Sequence, residues 1–172
     1  MVITPRLDPG VPVFSLGRYA GPRRAAIVAM KEHGRTDLVA PVAMAVNGGL
    51  TRLLAWGIVE VPLTVVPAPT RRSAARRRGG DPVAALARTA AVPGTDVVPA
   101  LRMRAFARDS VGLSPAQRQR NIAGRVKLCE PVGGEVLLID DVVTTGATVC
   151  ESVRVLQTAG ARGTAILAVA HA

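Results

Sequence analysis

The 172-residue chain is one domain's worth of sequence and is long enough to bury a core without a disulfide or metal staple. Apolar residues make up 49% but aromatics only 2%, namely Phe14, Tyr19, Trp56 and Phe106, so the core is expected to be Ala, Val, Leu and Ile, as in tightly packed α/β layers. The net charge of +10 sits in one stretch: residues 71–127 hold 13 Lys and Arg against Asp81, Asp96 and Asp109, and the rest of the chain balances at nine of each sign. A localised excess points to one anion-binding face rather than a uniformly basic surface. Apolar stretches are interrupted by Pro, Asn, Gly or charge short of 18 residues, so no membrane-spanning helix is expected. Residues 1–20 lack the apolar run of a secretory signal. Cys129 and Cys150 have no C-x-x-C partner, which suits a reducing cytoplasm and excludes a cysteine zinc site; both are read as buried small hydrophobes. His33 and His171 stand alone and read as surface or packing residues. Trp56 and Phe14 read as core rather than as base-stacking groups.

In chain order, Pro22 opens a helix over 22–33 with Ile27 and Met30 on one side. A second helix runs from Thr36 or Asp37 to Trp56 and stops at Gly57, with Gly48-Gly49 weakening its middle. Residues 61–66 (VPLTVV) read as a buried strand entering a loop at Pro67 and Pro69. An arginine-rich loop covers 70–79. Asp81 then caps a helix over 82–90 with Pro82 at its first position. Residues 97–101 (VVPAL) read as a strand weakened by Pro99, followed by a basic loop over 102–114. Ser114-Pro-Ala-Gln117 resembles a capping box opening a short helix to about 123. Residues 136–139 (VLLI) are the clearest strand. A helix from Thr144 or Thr145 to 159 ends at Gly160, and 163–170 is a last buried strand. Strands alternating with helices predict an α/β domain: a mostly parallel twisted sheet with helices on both faces.

The segment VLLIDDVVTTGATV, residues 136–149, carries the chemistry. An apolar strand delivers Asp140 and Asp141 at its C-terminal end, where open α/β sheets bind ligands. A Thr- and Gly-rich turn then opens a helix whose first N–H groups and positive dipole end suit an anion. Thr144, Thr145 and Thr148 add hydroxyls, and Gly146 permits close backbone approach. The carboxylates would repel phosphate but can accept hydrogen bonds from neutral hydroxyls, such as a ribose diol. A ligand with a phosphate at one end and a diol beside it satisfies both halves. There is no G-x-x-x-x-G-K-[ST], no G-x-G-x-x-G after a strand and no H-E-x-x-H.

This segment resembles the 5-phosphoribosyl-1-pyrophosphate (PRPP) motif of type I phosphoribosyltransferases. The resemblance implies that Asp140 and Asp141 hold the ribose diol, as the catalytic pair, and that Thr144, Thr145, Gly146, Ala147 and Thr148 hold the 5-phosphate. A wider resemblance to the ComF family covers roughly 19–170. It rests on Tyr19-x-Gly21, Ile27-x-x-Met30-Lys31, Gly34, Val65-Val66-Pro67-Ala68-Pro69, Arg71-Arg72, Arg77-Arg78-Gly79, Leu101-Arg102-x-Arg104, Leu113, Arg118 and Asn121. The family's N-terminal cysteine-rich zinc module is absent from residues 1–18. The resemblance implies a small N-terminal hood with the first helices in 1–60 and a PRPP-binding core in 61–172, within a single domain. It implies that Pro69, Thr70, Arg71 and Arg72 hold pyrophosphate, and that Arg102, Arg104, Arg118 and Asn121 belong to a flexible loop. Mg²⁺ is implied with PRPP, near Asp140 and Asp141 and held only indirectly by them. Relatives acting on hypoxanthine and guanine carry an acid where this chain has Thr144.

The implied activity is transfer of phosphoribose to a nitrogen nucleophile. The alternative is a non-catalytic PRPP- or nucleotide-sensing or DNA-binding protein linked to competence and DNA uptake. Arg71, Arg72, Arg76, Arg77 and Arg78 suit a polyanion, since guanidinium pairs with phosphate bidentately. Residues 71–127 hold one aromatic, Phe106, so base stacking is not expected, while contact with a nucleic-acid backbone stays open. Acceptor identity and homo-oligomer formation are also open.

Overall fold

The computed structural model describes residues 1–70, 80–104 and 124–172. The described chain runs β1 (Val13–Ser15), α1 (Gly21–Glu32), a 3₁₀ turn (Thr36–Leu38), α2 (Val39–Ala55), β2 (Leu63–Pro67), α3 (Pro82–Ala90), β3 (Thr95–Val97), β4 (Leu101–Met103), β5 (Val126–Leu128), β6 (Gly134–Val143), α4 (Ala147–Thr158) and β7 (Ala161–His171). Five strands form one sheet in the order β1-β7-β6-β2-β3, and all four pairings are parallel. β4 and β5 form a separate antiparallel ribbon.

The central strands are apolar on both faces because both are covered. Leu137 and Ile139 enter one core cluster with Ile27 and Met30 of α1, Leu50 of α2 and Leu86 of α3. Val136 and Leu138 enter the other with Val153 of α4 and Leu101 and Val126 of the ribbon. Successive side chains of a strand point to opposite faces, so the run VLLI serves both layers.

Residues 1–60, expected to hold a hood and the first helices, supply the edge strand β1 and, among the described residues, two of the three helices on one face. Phe14 is buried, as expected. Trp56 is not: it is 61% exposed and lies under the Arg52 guanidinium, 5.8 Å from its ring centroid. Cys129 is exposed and Cys150 is half-buried, against the expectation for both. The single strand expected over 97–101 is two. Val98 N–H still reaches the Val65 carbonyl of β2 at 2.9 Å, but Pro99 has no N–H to continue the ladder, and the chain leaves to pair as β4 with β5. The basic loop expected over 102–114 begins later than expected, since Arg102 and Met103 pair in β4; its remainder from 105, the short helix expected to about 123, and residues 71–79 of the arginine loop expected over 70–79 lie outside the described residues.

The second helix is as long as expected despite Gly48-Gly49. The stretch Thr36–Ala55 has a mean hydropathy of 1.4 and is long and apolar enough to cross a membrane by length and composition, contrary to the expectation from its interruptions. Its place is against the sheet, with Ala43, Val46, Leu50 and Leu53 buried. Gly49 sits at the closest approach: a Cβ there would lie 2.8 Å from Leu16 and 3.2 Å from Leu167. Asn47 donates to the Ala90 carbonyl at 3.0 Å, which satisfies an orphan acceptor at the end of α3.

From β2 the chain moves through α3 to β3 on one side of the sheet. From β6 it moves through α4 to β7 on the other. The direction of winding therefore reverses between β2 and β6, where parallel α/β sheets form a crevice at the carboxyl ends of their strands.

Candidate functional site

β2 and β6 end at this crevice at different heights. Their last paired residues are Pro67 and Ile139, and Ala68 N–H adds a bond to the Ile139 carbonyl at 2.8 Å. Pro69 and Thr70 follow at once. β6 runs on to Val143, beside β7 alone. The strand is thus longer than its apolar run. Asp140 and Asp141 lie within it, beyond the last β2 partner, rather than at its terminus.

Both carboxylates are buried and they are not equivalent. Asp140 Oδ1 accepts from Asp141 N–H at 2.8 Å, and Asp141 Oδ1 accepts from Val142 N–H at 2.7 Å. Asp141 Oδ2 is 2.5 Å from Lys31 Nζ. Lys31 stands in the last turn of α1 and reaches across the face where α1 packs. Burial, then the Asp141 charge, push the Asp140 carboxyl up to about 8, while Lys31 acts in the opposite direction. Two equally charged acceptors were expected. The structure instead gives one carboxyl that keeps its proton near neutral pH and one carboxylate matched by a lysine. A neutral carboxyl donates as well as accepts, which still suits a diol.

The turn over 144–146 leads into α4 at Ala147, later than the expected start. Gly146 is the N-cap with φ +89°; it offers no side-chain cap, and no acid stands in the first turn. Thr145 Oγ1 accepts from Ala147 N–H only at a long 3.4 Å. α3 differs, because Asp81 Oδ1 accepts from Val83 and Ala84 N–H at 3.0 and 3.2 Å, as its sequence predicts. Of these two helix starts, one is closed by its own carboxylate and the other keeps its N–H groups and positive end for an outside acceptor. The role expected for Gly146 needs correction. The space a side chain would fill is not left for a ligand: an added Cβ would lie 2.5 Å from the Leu7 carbonyl oxygen and 3.0 Å from Pro5 Cβ.

Arg102 lies on β4 directly opposite Lys127 of β5, and Arg104 N–H bonds to the Arg125 carbonyl at 2.7 Å. Leu101 and Val126 face the core, so Arg102 and Lys127 share the other face of the ribbon. Like charges directly opposed across a ladder are unfavourable without an anion. Glu151, in the first turns of α4, is buried. It accepts from Gly124 N–H at 2.8 Å and from Arg154 at 2.7 and 3.0 Å, and Arg154 beside it holds its carboxyl below the usual range. It thereby ties the start of β5 to α4. Arg71, Arg72, Arg118 and Asn121 lie outside the described residues. The structure brings Pro69, Thr70, Asp140, Asp141 and the 144–148 turn to one edge. Sequence reasoning missed Lys31 and Glu151 as parts of this edge, since each acts through a partner distant in the chain or on a neighbouring element.

Among the described residues no three His, Cys, Asp or Glu side chains cluster to hold a metal ion. The Asp140–Asp141 pair, with Lys31 on one member, does not make a resident cage. Mg²⁺ carried in on a phosphate ligand keeps its waters, and this pair, one carboxyl protonated and the other lysine-paired, would meet it through those waters rather than as direct ligands.

No family model matches this chain, and no curated protein matches it. Among solved structures it is similar to a hypoxanthine phosphoribosyltransferase from Staphylococcus aureus in two crystal forms. The orthorhombic form is 15% identical with a TM-score of 0.45, and the tetragonal form is 17% identical with a TM-score of 0.44. Each match covers 76% of this chain, which spans 61% of the length of the matched chain.

Proposed function

We propose that the chain is a phosphoribosyltransferase-like protein that binds PRPP with Mg²⁺ and transfers phosphoribose to a nitrogen nucleophile, releasing pyrophosphate. The observation that carries this reading is the edge itself. A buried carboxyl–carboxylate pair on β6 precedes an uncapped helix start in the chain and lies just beyond the end of β2, which Pro69 and Thr70 follow, at the point where the sheet reverses. The 144–148 turn would take the 5-phosphate on its N–H groups, Asp140 and Asp141 would take the ribose hydroxyls, and Pro69, Thr70, Arg71 and Arg72 would take the pyrophosphate. In the reaction the bond from C1 of the ribose to pyrophosphate oxygen breaks and a C1–N bond forms. The acceptor nitrogen loses its proton, and pyrophosphate leaves with the bond's electrons. The positive charge that develops at C1 needs a held ribose and a held leaving group rather than a covalent nucleophile. Mg²⁺, when bound, neutralises pyrophosphate charge. Thr144 in place of an acid argues for an acceptor other than hypoxanthine or guanine.

The test is to incubate purified protein with PRPP, Mg²⁺ and a panel of nitrogen bases and to assay pyrophosphate. Release that depends on one base supports the transferase. Binding of PRPP without release favours the sensing alternative of the ComF type, and absence of PRPP binding overturns both.

A second reading is supported by the β4–β5 ribbon. Arg102, Arg104 and Lys127 give it a cationic outer face, and a two-stranded ribbon is of a size that enters a duplex groove. On that reading the ribbon holds a nucleic-acid backbone.

A further inference from the structure

We propose that residues 5–7 clamp the 144–148 turn and set the geometry in which it holds an anion; the inference rests on reading that turn as the phosphate cradle. Residues 1–12 double back along the edge of the sheet. Val2 bridges to Phe14 antiparallel, and Ile3 N–H bonds to the Val13 carbonyl at 2.9 Å. Ile3 and Val11 pack against the core cluster beneath α4. A turn in which Asp8 Oδ1 accepts from Gly10 N–H at 2.8 Å returns the chain to β1. The strap is therefore fixed on both sides of Leu7.

At Leu7 both backbone groups are committed to the cradle. Its N–H donates to the Thr145 carbonyl at 2.9 Å. Its carbonyl accepts from the Cys150 thiol at 3.4 Å, and its oxygen lies 2.5 Å from where a Cβ on Gly146 would sit. A trans peptide is planar, with its C=O and N–H directed oppositely. Holding the Thr145 carbonyl on the strap side therefore aims the Gly146 N–H away from the strap, toward the side of the uncapped helix start. With φ +89°, Gly146 is free to turn in ways other residues are not, so this peptide plane is the part of the turn that most needs an external hold. Leu7 is a positioning residue: it acts through Thr145 and Gly146 and touches no ligand.

The test compares Leu7→Pro, which removes the N–H, with Leu7→Ala, which keeps both backbone groups. With saturating ribose 5-phosphate, protection of the Gly146 amide against exchange should be about tenfold lower in Leu7→Pro. Its affinity for ribose 5-phosphate should fall about tenfold, as for removal of one hydrogen bond, while inorganic pyrophosphate binds within about twofold of the unaltered protein. Leu7→Ala should match the unaltered protein in all three. Unchanged exchange, or equal losses for the two ligands, overturns the clamp. If the unaltered protein binds pyrophosphate but no ribose 5-phosphate, the cradle reading fails and the clamp falls with it, whereas failure of the clamp alone leaves that binding intact. Should Leu7→Pro not fold, the unaltered protein decides: saturating ribose 5-phosphate should slow exchange of the Leu7 amide at least about fivefold, and no change overturns the proposal.

Discussion

Burial and the neighbouring Asp141 keep a proton on Asp140 up to about pH 8, whereas an unfolded chain releases it near 3.9. The folded state thus holds the extra proton between those values, and its stability falls as pH rises from about 4 through about 8. Asp140→Asn removes this dependence. Urea midpoints at pH 5 and pH 8 should show the variant gaining on the unaltered protein by roughly a few kcal/mol at the higher pH, while its PRPP affinity falls. A variant that tracks the unaltered protein across that range would mean that Asp140 titrates normally. Lys31 supplies the matching charge. Its side chain is 32% exposed and that of Asp141 only 8%, so solvent screens the lysine more than its partner. Lys31→Met should cost about 1–3 kcal/mol, because it leaves a buried carboxylate unpaired. Adding Asp141→Asn should recover most of that loss, which a double-mutant cycle reads as coupling above about 0.5 kcal/mol. Additive losses would show that the pair is not coupled in solution.

At the scale of the element, the adjacent glycines of α2 separate propensity from packing. Nothing lies within 4 Å of a Cβ added at Gly48, whereas Leu16 and Leu167 crowd one at Gly49. Gly48→Ala should therefore raise stability by about 0.8 kcal/mol through helix propensity. Gly49→Val should lower it by about 1–3 kcal/mol through overpacking. Thermal melts of the two variants should move in opposite directions; movement in the same direction would mean that α2 does not approach the sheet as closely as its packing indicates. The same contrast explains why the Gly-Gly pair does not interrupt the helix: a buried apolar stripe outweighs roughly 1 kcal/mol of propensity per glycine.

At the scale of the whole molecule, the chain carries a net charge of +10, and its excess lies within residues 71–127. The described part of the basic stretch includes Arg102, Arg104 and Lys127 on the ribbon. If that face holds duplex DNA, changing these three residues to Gln should flatten the dependence of log K on log salt by about 0.9 for each phosphate no longer neutralised. If it serves a compact ligand at the crevice, PRPP affinity should fall instead and the DNA slope should stay. Titrations with both ligands at two or more salt concentrations separate these outcomes, and no change in either would leave the ribbon as solvated charge.

The sequence by itself determined the layered α/β plan, because a covered parallel strand such as VLLI must be apolar on both faces, and a run of that kind is visible without partners. It determined the first helix through Pro22, the Asp81 cap, and the strand–turn–helix that presents Asp140, Asp141 and residues 144–148. Tertiary structure decided what short segments do. β1, β3, β4 and β5 have three residues each, too few for a periodic signal, and they exist as strands only because a neighbouring edge supplies the other half of the ladder. It decided that Trp56 stays outside and that β6 extends through its own acids. It also decided the charge state at the crevice. The pairing of Lys31 with Asp141 and the hold of Leu7 on Thr145 each join residues more than a hundred positions apart. Burial and proximity set both, and neither is a property of local sequence.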